Sequence, residues 1–346
     1  MNQTAHRHRR GAMALTAVVV LGLVLAACGD RDGTTGVATS GGGPAEMTDA
    51  TLVLDFLPNG VHAGIYRALA SGYYEENNLD LKIVQPTSTA DTLKLIVAGK
   101  AEFGIAEGID VAKQIAEGRD AKGIMALLER PAGGLITLAK SDIGDPGQLE
   151  GKTVGITGVP SDLAVLETVV SGAGGEPDSI DVVTIGFNGV QSLANEKVDA
   201  FTGFVPADGV QVEQRGERIR AFPLDEWGGP SYPGLVVFST QERIEAEPAL
   251  MQSFVSATMR GYEDTFDDPK RSVEALVEAN PGMDTELAEA TLEAYMPLFE
   301  GDAPAYGLFV EEDISALSRF MVENELASSG IDPSRYGTNE FVAGRR

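Results

Sequence analysis

The segment TLVLDFLPNGVHAGIYRALASGYYEENNLDLKIV covers residues 51–84 and combines two kinds of hydrophobic pattern. Its first part, residues 51–57, is an almost unbroken apolar run, which is typical of a buried parallel strand. The turn-forming residues 58–60 end this run, and the spacing of residues 62–76 predicts a helix. Apolar and charged residues then alternate over 79–83, which predicts a second strand. A strand, a helix and a strand in this order indicate an α/β unit with parallel strands.

The same alternation of strands and helices continues to about residue 224, and a second series begins near Asp142. After residue 240 the pattern is mainly helical. We therefore expect two α/β lobes joined by two hinge crossings, near residues 138–141 and 235–240. Lobe I is predicted to comprise residues 49–138 and 240–346, and lobe II residues 139–239.

Polar and aromatic side chains that follow the predicted strands are candidates for a binding site. Ligands of open α/β sheets lie beyond the carboxyl ends of the strands, so the cleft between two facing lobes is the expected site. Hinge closure would bury a small molecule there. The candidates from lobe I are Asp55, Phe56, Asn59, His62, Tyr66 and Glu107.

Each of these candidates also has a structural interpretation. Asp55 and Asn59 could form a turn or cap the following helix. His62 could be a neutral, hydrogen-bonded residue at the helix start, and Glu107 could cap the helix that follows the third strand. The residue pattern leaves both interpretations open.

The charge balance excludes several classes of protein. The chain has 346 residues with 26 Lys+Arg and 52 Asp+Glu, so its formal net charge is −26. Such a chain lacks the cations that a duplex nucleic-acid binder or a basic membrane-surface protein needs. The sequence also contains no GxGxxG, GxxxxGK[ST] or GxSxG motif. One Cys and few His argue against a zinc centre, and we expect neither a metal nor a cofactor.

The N-terminal region predicts a targeting segment. Three arginines at positions 7, 9 and 10 precede an apolar run over residues 12–27, which ends in Leu-Ala-Ala-Cys at Cys28. This ending resembles the bacterial lipobox, which implies cleavage after residue 27 and a lipid on Cys28. Residues 28–48 are rich in Gly, Thr and Ser and predict a flexible tether at the outer face of a membrane. A plain signal peptide with a chance cysteine, or an uncleaved anchor, is the alternative.

Three segments together resemble a known family. Residues 54–84, the Glu129-Arg130-Pro131 loop with Gly-Gly-Leu-Ile at 133–136, and Gly-Lys-Thr-Val-Gly-Ile at 151–156 are similar to the NMT1/THI5-like group of ABC-transporter solute-binding proteins. The similarity extends over roughly residues 51–300. It implies an α/β fold of the two-lobe periplasmic-binding-protein type II class with two hinge crossings. It also implies a monomeric, non-catalytic receptor that binds a thiamine pyrimidine precursor for an ABC permease and ATPase.

The resemblance extends to site residues in both lobes. In the family, an aromatic side chain from each lobe sandwiches the pyrimidine and a carboxylate accepts its amino group, which here corresponds to Phe56, Phe204 and Asp208. The chain departs from the family's usual Trp at position 56, its Tyr-Trp at 204–205 and its Glu at 208. Stacking survives these changes, but the hydrogen bonds of Trp and Tyr do not. A related heterocycle such as a flavin precursor is therefore an alternative ligand.

Other functions stay open from the residues alone. A pyrimidine-synthesising enzyme of the THI5 type is the enzymatic alternative, although those enzymes carry a Cys-rich motif that this chain lacks. A sulfonate-like solute is a further alternative. The loop over residues 158–162 precedes a helix, whose free N–H groups favour an anionic ligand group near Ser161. Ser161 could instead serve only as a helix cap.

Overall fold

The computed structural model describes residues 47–343. The predicted signal peptide, Cys28 and nearly all of the predicted tether lie outside the described residues. Within residues 47–343, no helix combines the length and the hydropathy that a membrane span requires. The strands of this part are β1 (Thr48–Val53), β2 (Leu79–Val84), β3 (Phe103–Glu107), β4 (Lys122–Leu128), β5 (Gly133–Leu138), β6 (Thr153–Ile156), β7 (Asp181–Thr184), β8 (Ala200–Phe204), β9 (Ile219–Pro223) and β10 (Leu235–Ser239).

The strands form two sheets with equivalent topology. The order is β2-β1-β3-β10-β4 in the first sheet and β7-β6-β8-β5-β9 in the second. In each sheet the first three strands of this order are parallel, and the fourth runs antiparallel to both of its neighbours. The predicted α/β class with two lobes and two crossings is confirmed, and each antiparallel strand directly follows a crossing.

The predicted lobe boundaries are wrong at both crossings. Residues 133–138 are predicted in lobe I and 235–239 in lobe II, but β5 belongs to the second sheet and β10 to the first. Both strands are buried along their whole length, and such apolar runs look alike in either sheet. The crossings therefore lie at residues 129–132 and 224–234.

The two crossings touch each other at Gly234. Its N–H donates to the carbonyl of Leu128 at 2.9 Å, and its own carbonyl accepts from the N–H of Gly108 at 3.0 Å. A Cβ atom on Gly234 would lie 2.1 Å from the carbonyl oxygen of Arg130, so only glycine allows this approach. The two connections between the sheets are therefore in direct backbone contact at Gly234 and Arg130.

Helices cover both sheets. The helix predicted over residues 62–76 is divided at Gly72, whose φ of 73° ends one helix and begins the next. The long helix after β10 packs across the helix after β1, with the Tyr262 ring against Gly64. The helices of the described part are α1 (Ala63–Ala70), α2 (Tyr73–Glu76), α3 (Thr89–Val97), α4 (Gly108–Ala116), α5 (Pro160–Gly172), α6 (Gly189–Ala194), α7 (Val210–Gln214), α8 (Gln241–Ala246), α9 (Pro248–Asp267), α10 (Pro269–Ala279), α11 (Thr285–Tyr295), α12 (Glu311–Glu323), α13 (Pro333–Tyr336) and α14 (Glu340–Ala343).

Candidate functional site

A small cavity of about 60 Å³ lies between the two sheets. Most of its walls come from residues at or just beyond the carboxyl ends of parallel strands in both sheets, and the start of the antiparallel strand β5 adds Gly133 and Gly134. Most of the lining is apolar, and its polar part consists largely of carboxylates. The lining residues are Asp55, Phe56, Glu107, Gly133, Gly134, Thr157, Val159, Asp162, Val165, Phe187, Thr202, Gly203, Phe204, Ala207 and Asp208.

Three phenylalanine rings contribute to the walls of this cavity. Phe56 follows β1 of the first sheet, and Phe187 follows β7 of the second. Their ring centroids are 4.5 Å apart with an interplanar angle of 76°, which is an edge-to-face contact between the lobes. Phe204 lies at the end of β8 on the second side. These rings give the cavity the flat apolar surfaces that suit an aromatic ligand.

Asp55 is held at the cavity wall by a histidine behind it. The Nδ1 atom of His62 accepts the N–H of Asn59 at 3.2 Å, so the ring hydrogen sits on Nε2. Nε2 lies 2.8 Å from Oδ1 of Asp55 and donates to it. The other oxygen of Asp55, Oδ2, is buried and has no hydrogen-bond partner among the described residues. One oxygen of Asp55 is thus fixed, and the other is available to a ligand.

Glu107 and Asp110 form a second acidic group where β3 leads into α4. Burial raises the pKa of Glu107 well above its usual range, and the charges of Asp110, Asp162 and Asp55 raise it further. Burial also raises the pKa of Asp110 to about 7. Oε1 of Glu107, like Oδ2 of Asp55, is buried without a partner in the described part of the chain. This acidic group therefore retains protons that free carboxyl groups would release.

Because Asp110 retains its proton in the fold, its contribution to the free energy of unfolding is expected to decrease as the pH rises. The pKa of Asp110 is 3.8 in an ordinary setting and about 7 in the fold, so the folded state binds the proton more tightly than the unfolded state. The stabilising contribution is fully present below pH 3.8 and is lost as the pH rises to about 7. The free energy of unfolding falls by on the order of 1 kcal/mol for each pH unit across this range.

Thermal melting of the wild type and of Asp110→Asn across this range measures the effect. Other carboxylates titrate in both proteins, and only the difference between the two curves isolates Asp110. The stability of the variant relative to the wild type should increase with pH. A difference that is constant from acid to neutral pH would contradict this assignment.

The loop before α5 is closed by a carboxylate of the chain itself. Oδ2 of Asp162 accepts the N–H groups of Gly158 and Val159 at 2.9 and 3.2 Å. Hydroxyls of Thr157 and Thr202 donate to the same carboxylate at 2.7 and 3.2 Å. Two N–H groups that favoured an anionic ligand are therefore already occupied. Val159 holds the cap position, so Ser161 is not the cap either.

Asp208 lies in one π-helical turn, Val205–Gly209, that leads from β8 into α7. Its Oδ2 atom accepts the N–H of Phe204 at 2.9 Å, which fixes the carboxylate beside that ring. Burial raises the pKa of Asp208 to about 7. This π-helical turn brings Phe204 and Asp208 to the same part of the cavity wall.

Five of the predicted lobe-cleft residues line the cavity together: Asp55, Phe56, Glu107, Phe204 and Asp208. The other four lie elsewhere. The side chain of Asn59 accepts the N–H of Val61 at 3.0 Å, as a helix cap does, and lines a neighbouring groove. His62 is fully buried behind Asp55, and Tyr66 is buried with its hydroxyl 3.5 Å from Oδ1 of Asn280. Ser161 is buried near Asp110.

Several lining residues are absent from the predicted set. Phe187 is the most important of them because its ring touches Phe56. It follows a strand of the second sheet, so the rule that selected Phe56 also applies to it. Asp162 and Thr202 are paired across α5 and β8, a contact that no local pattern reveals.

Comparison with known proteins adds a family assignment to this geometry. The model of the family described as NMT1/THI5 like matches residues 59–272, which is more than half of the chain. A formylaminopyrimidine-binding protein of Halalkalibacterium halodurans is 27% identical over 74% of this chain and 79% of its own. A 4-amino-5-hydroxymethyl-2-methylpyrimidine phosphate synthase of Legionella pneumophila is 26% identical over 84% and 92%. The riboflavin-binding protein RibY of Chloroflexus aurantiacus is 26% identical over 95% and 97%.

Solved structures share the fold at low sequence identity. The alkanesulfonate-binding protein SsuA of Xanthomonas axonopodis pv. citri, bound to MOPS, superposes with a TM-score of 0.68. It is 16% identical, and the match covers 85% of this chain and 99% of that one. This chain therefore has the periplasmic-binding-protein fold.

Proposed function

The chain belongs to the NMT1/THI5-like family, and from this we propose that it is the solute-binding protein of an ABC importer. Its ligand is a small flat nitrogen heterocycle, such as a thiamine pyrimidine precursor, which binds between the lobes outside the cytoplasm. The observation that carries this proposal is the cavity itself, where phenylalanine rings from both lobes stand beside buried carboxylate oxygens.

The roles in binding follow from this geometry. Phe56, Phe187 and Phe204 cover the faces and edges of the ring, and their burial together with the ligand supplies most of the affinity. Asp55, Glu107 and Asp208 accept hydrogen bonds from amino or ring N–H groups and so set the orientation of the ligand. His62 acts through Asp55, whose carboxylate it orients.

A binding function is favoured over synthesis by the residues at the cavity. The synthase among the relatives shows that family membership alone does not exclude an enzyme. The single histidine of the described residues is buried behind Asp55 and does not line the cavity. No lysine belongs to the described lining of the cavity. The chain also contains one cysteine, so it has no Cys-rich motif.

A flavin-type ligand is the second candidate, and a neighbouring groove favours it. This groove shares Phe56 with the cavity and has a volume of about 680 Å³. Its lining includes the amide side chains of Asn59, Gln85, Gln211 and Asn280. A ring in the cavity could thus carry a polar chain past Phe56. A sulfonate-like solute is disfavoured, because Asp162 already occupies the N–H groups before α5.

A ligand screen tests the proposal. We expect the full-length chain, purified in detergent, to melt at a higher temperature with aminopyrimidine precursors or with flavin-type compounds. A ligand at a hundred times its dissociation constant adds about 2.7 kcal/mol to the free energy of unfolding. Alkanesulfonates and nitrate serve as negative controls. Stabilisation by these anions alone would overturn the proposal.

We further propose that a lipid on Cys28 holds the protein at the extracytoplasmic face of the cell membrane. There, a monomer binds the permease of a complex of ABC permease and ATPase. The support is the Leu-Ala-Ala-Cys ending of the apolar N-terminal run. We expect Cys28→Ser to lose the acyl group and to leave the membrane fraction. Mass spectrometry of the mature N-terminus and fractionation measure this, and wild-type protein without a lipid would contradict it.

A further inference from the structure

Acidic side chains from both lobes line the cavity. Four carboxylates line it, Asp55 and Glu107 from the first lobe and Asp162 and Asp208 from the second. Among the described residues of the lining there is no lysine, arginine or histidine. Burial keeps protons on Glu107 and Asp208 when no cation is near, and a positively charged ligand would let them ionise as its counter-charges.

Two of the carboxylates have an oxygen that lacks a donor. Asp55 is 4% exposed and Glu107 is 9% exposed, so both are more than nine-tenths buried. Oδ2 of Asp55 and Oε1 of Glu107 have no partner within hydrogen-bond geometry in the described part of the chain. The hydroxyl of Tyr232 lies near enough to Glu107 to lower its pKa, but it makes no well-formed hydrogen bond to Oε1. Buried carboxylate oxygens are rarely left in this state, because the missing hydrogen bond costs free energy.

The side chains of the lining also provide few hydrogen-bond donors. The hydroxyls of Thr157 and Thr202 donate to Asp162 and are not free to donate to a ligand. The three aromatic rings are phenylalanines, which carry no N–H or O–H group. The site therefore offers acceptors and π-faces, and a cation satisfies both.

From these observations we infer that the cavity selects a flat organic cation. The ligand is an aromatic nitrogen base that binds with a positive charge and carries at least two N–H donors. This inference rests on the proposed function and narrows its ligand class. The positive charge relieves the mutual repulsion of the carboxylates, and the N–H groups reach the free oxygens of Asp55 and Glu107.

Three small probes of nearly equal shape test the charge. Benzamidine is a cation near neutral pH, benzamide is its neutral counterpart, and benzoate is an anion. We expect calorimetry on the full chain to show benzamidine binding at least about tenfold more tightly than benzamide, because a charged hydrogen bond is added. Benzoate should not bind. Equal or tighter binding of benzamide or benzoate overturns the inference, and so does the absence of binding by all three.

Isosteric variants test the residues. Glu107→Gln keeps the shape but cannot ionise beside a cation, so benzamidine should lose at least about tenfold in affinity while benzamide changes little. Asp208→Asn is the second variant if the first does not fold. Glu129→Gln is the matched control, because Glu129 is also buried, at 7% exposure, but lines a different cavity. Unchanged selectivity in both cavity variants overturns the assignment.

The probe series and the ligand screen fail in different ways. If neutral pyrimidines or flavins bind but benzamidine does not, the transport function stands and the cationic ligand class falls. If benzamidine binds with the expected selectivity while every pyrimidine and flavin fails, the cationic site stands and the proposed ligand family falls.

Discussion

Replacing Phe56 by alanine is expected to weaken ligand binding more than any other single change in the cavity, by about thirtyfold or more. The ring has two roles. In the proposed complex it covers one side of the ligand, and its contact with Phe187 at 4.5 Å joins the two lobes across the cavity. Both contributions are lost in Phe56→Ala, whereas Phe204→Ala removes only a wall of the cavity on the second side.

Calorimetry with the ligand from the screen measures this loss. Leu69→Ala is the control, because Leu69 is 37% exposed and lines neither the cavity nor the neighbouring groove. Phe56→Leu retains much of the apolar volume and separates burial from ring stacking. If Phe56→Ala binds as tightly as Leu69→Ala, the stacking site is assigned incorrectly.

Replacing Gly234 by alanine is expected to cost about 3 kcal/mol of stability, at the upper end for an overpacked site. The new Cβ atom would lie 2.1 Å from the carbonyl oxygen of Arg130, and a backbone atom cannot move aside as a flexible side chain can. The two crossings would have to separate. This would also break the hydrogen bonds of Gly234 to Leu128 and Gly108.

Urea denaturation of Gly234→Ala and of Gly144→Ala measures the effect of this contact. Gly144 is the control because the nearest atom to its Cβ position is the end of the Gln148 side chain, at 3.4 Å. That variant should keep its stability. If both variants unfold at the wild-type urea concentration, the contact between the crossings contributes nothing to the fold.

The sequence predicts the order of strands and helices well, because local hydrophobic patterns determine it. The strand predicted over residues 79–83 is β2, which ends one residue later, whereas the strand predicted over residues 51–57 begins three residues and ends four residues earlier, as β1. The partners of β5 and β10 are not predictable in this way. Each is buried on both faces, and the choice of sheet depends on backbone hydrogen bonds between distant segments.

The residues of the candidate site also differ in how well the sequence predicts them. Asp55, Phe56 and Glu107 follow parallel strands, and the rule for strand ends brings them to one cavity. His62 lies in the helical turn after this strand, and Tyr66 lies in α1. Whether such a side chain faces the cavity or the core depends on its position around the helix axis. The sequence shows their proximity to the site, but it does not show which way their side chains point.

The shared topology of the two sheets has a consequence for the order of folding. During synthesis, β1 to β4 are made first, but their sheet has a gap between β3 and β4 until β10 emerges. All strands of the second sheet lie between residues 133 and 223, so that lobe is complete before the first one is. We therefore expect the second lobe to acquire stable structure first. The first sheet stays incomplete until β10, which ends at residue 239, has been made and has docked between β3 and β4. Until then, the strands of the first lobe remain accessible to chaperones and proteases.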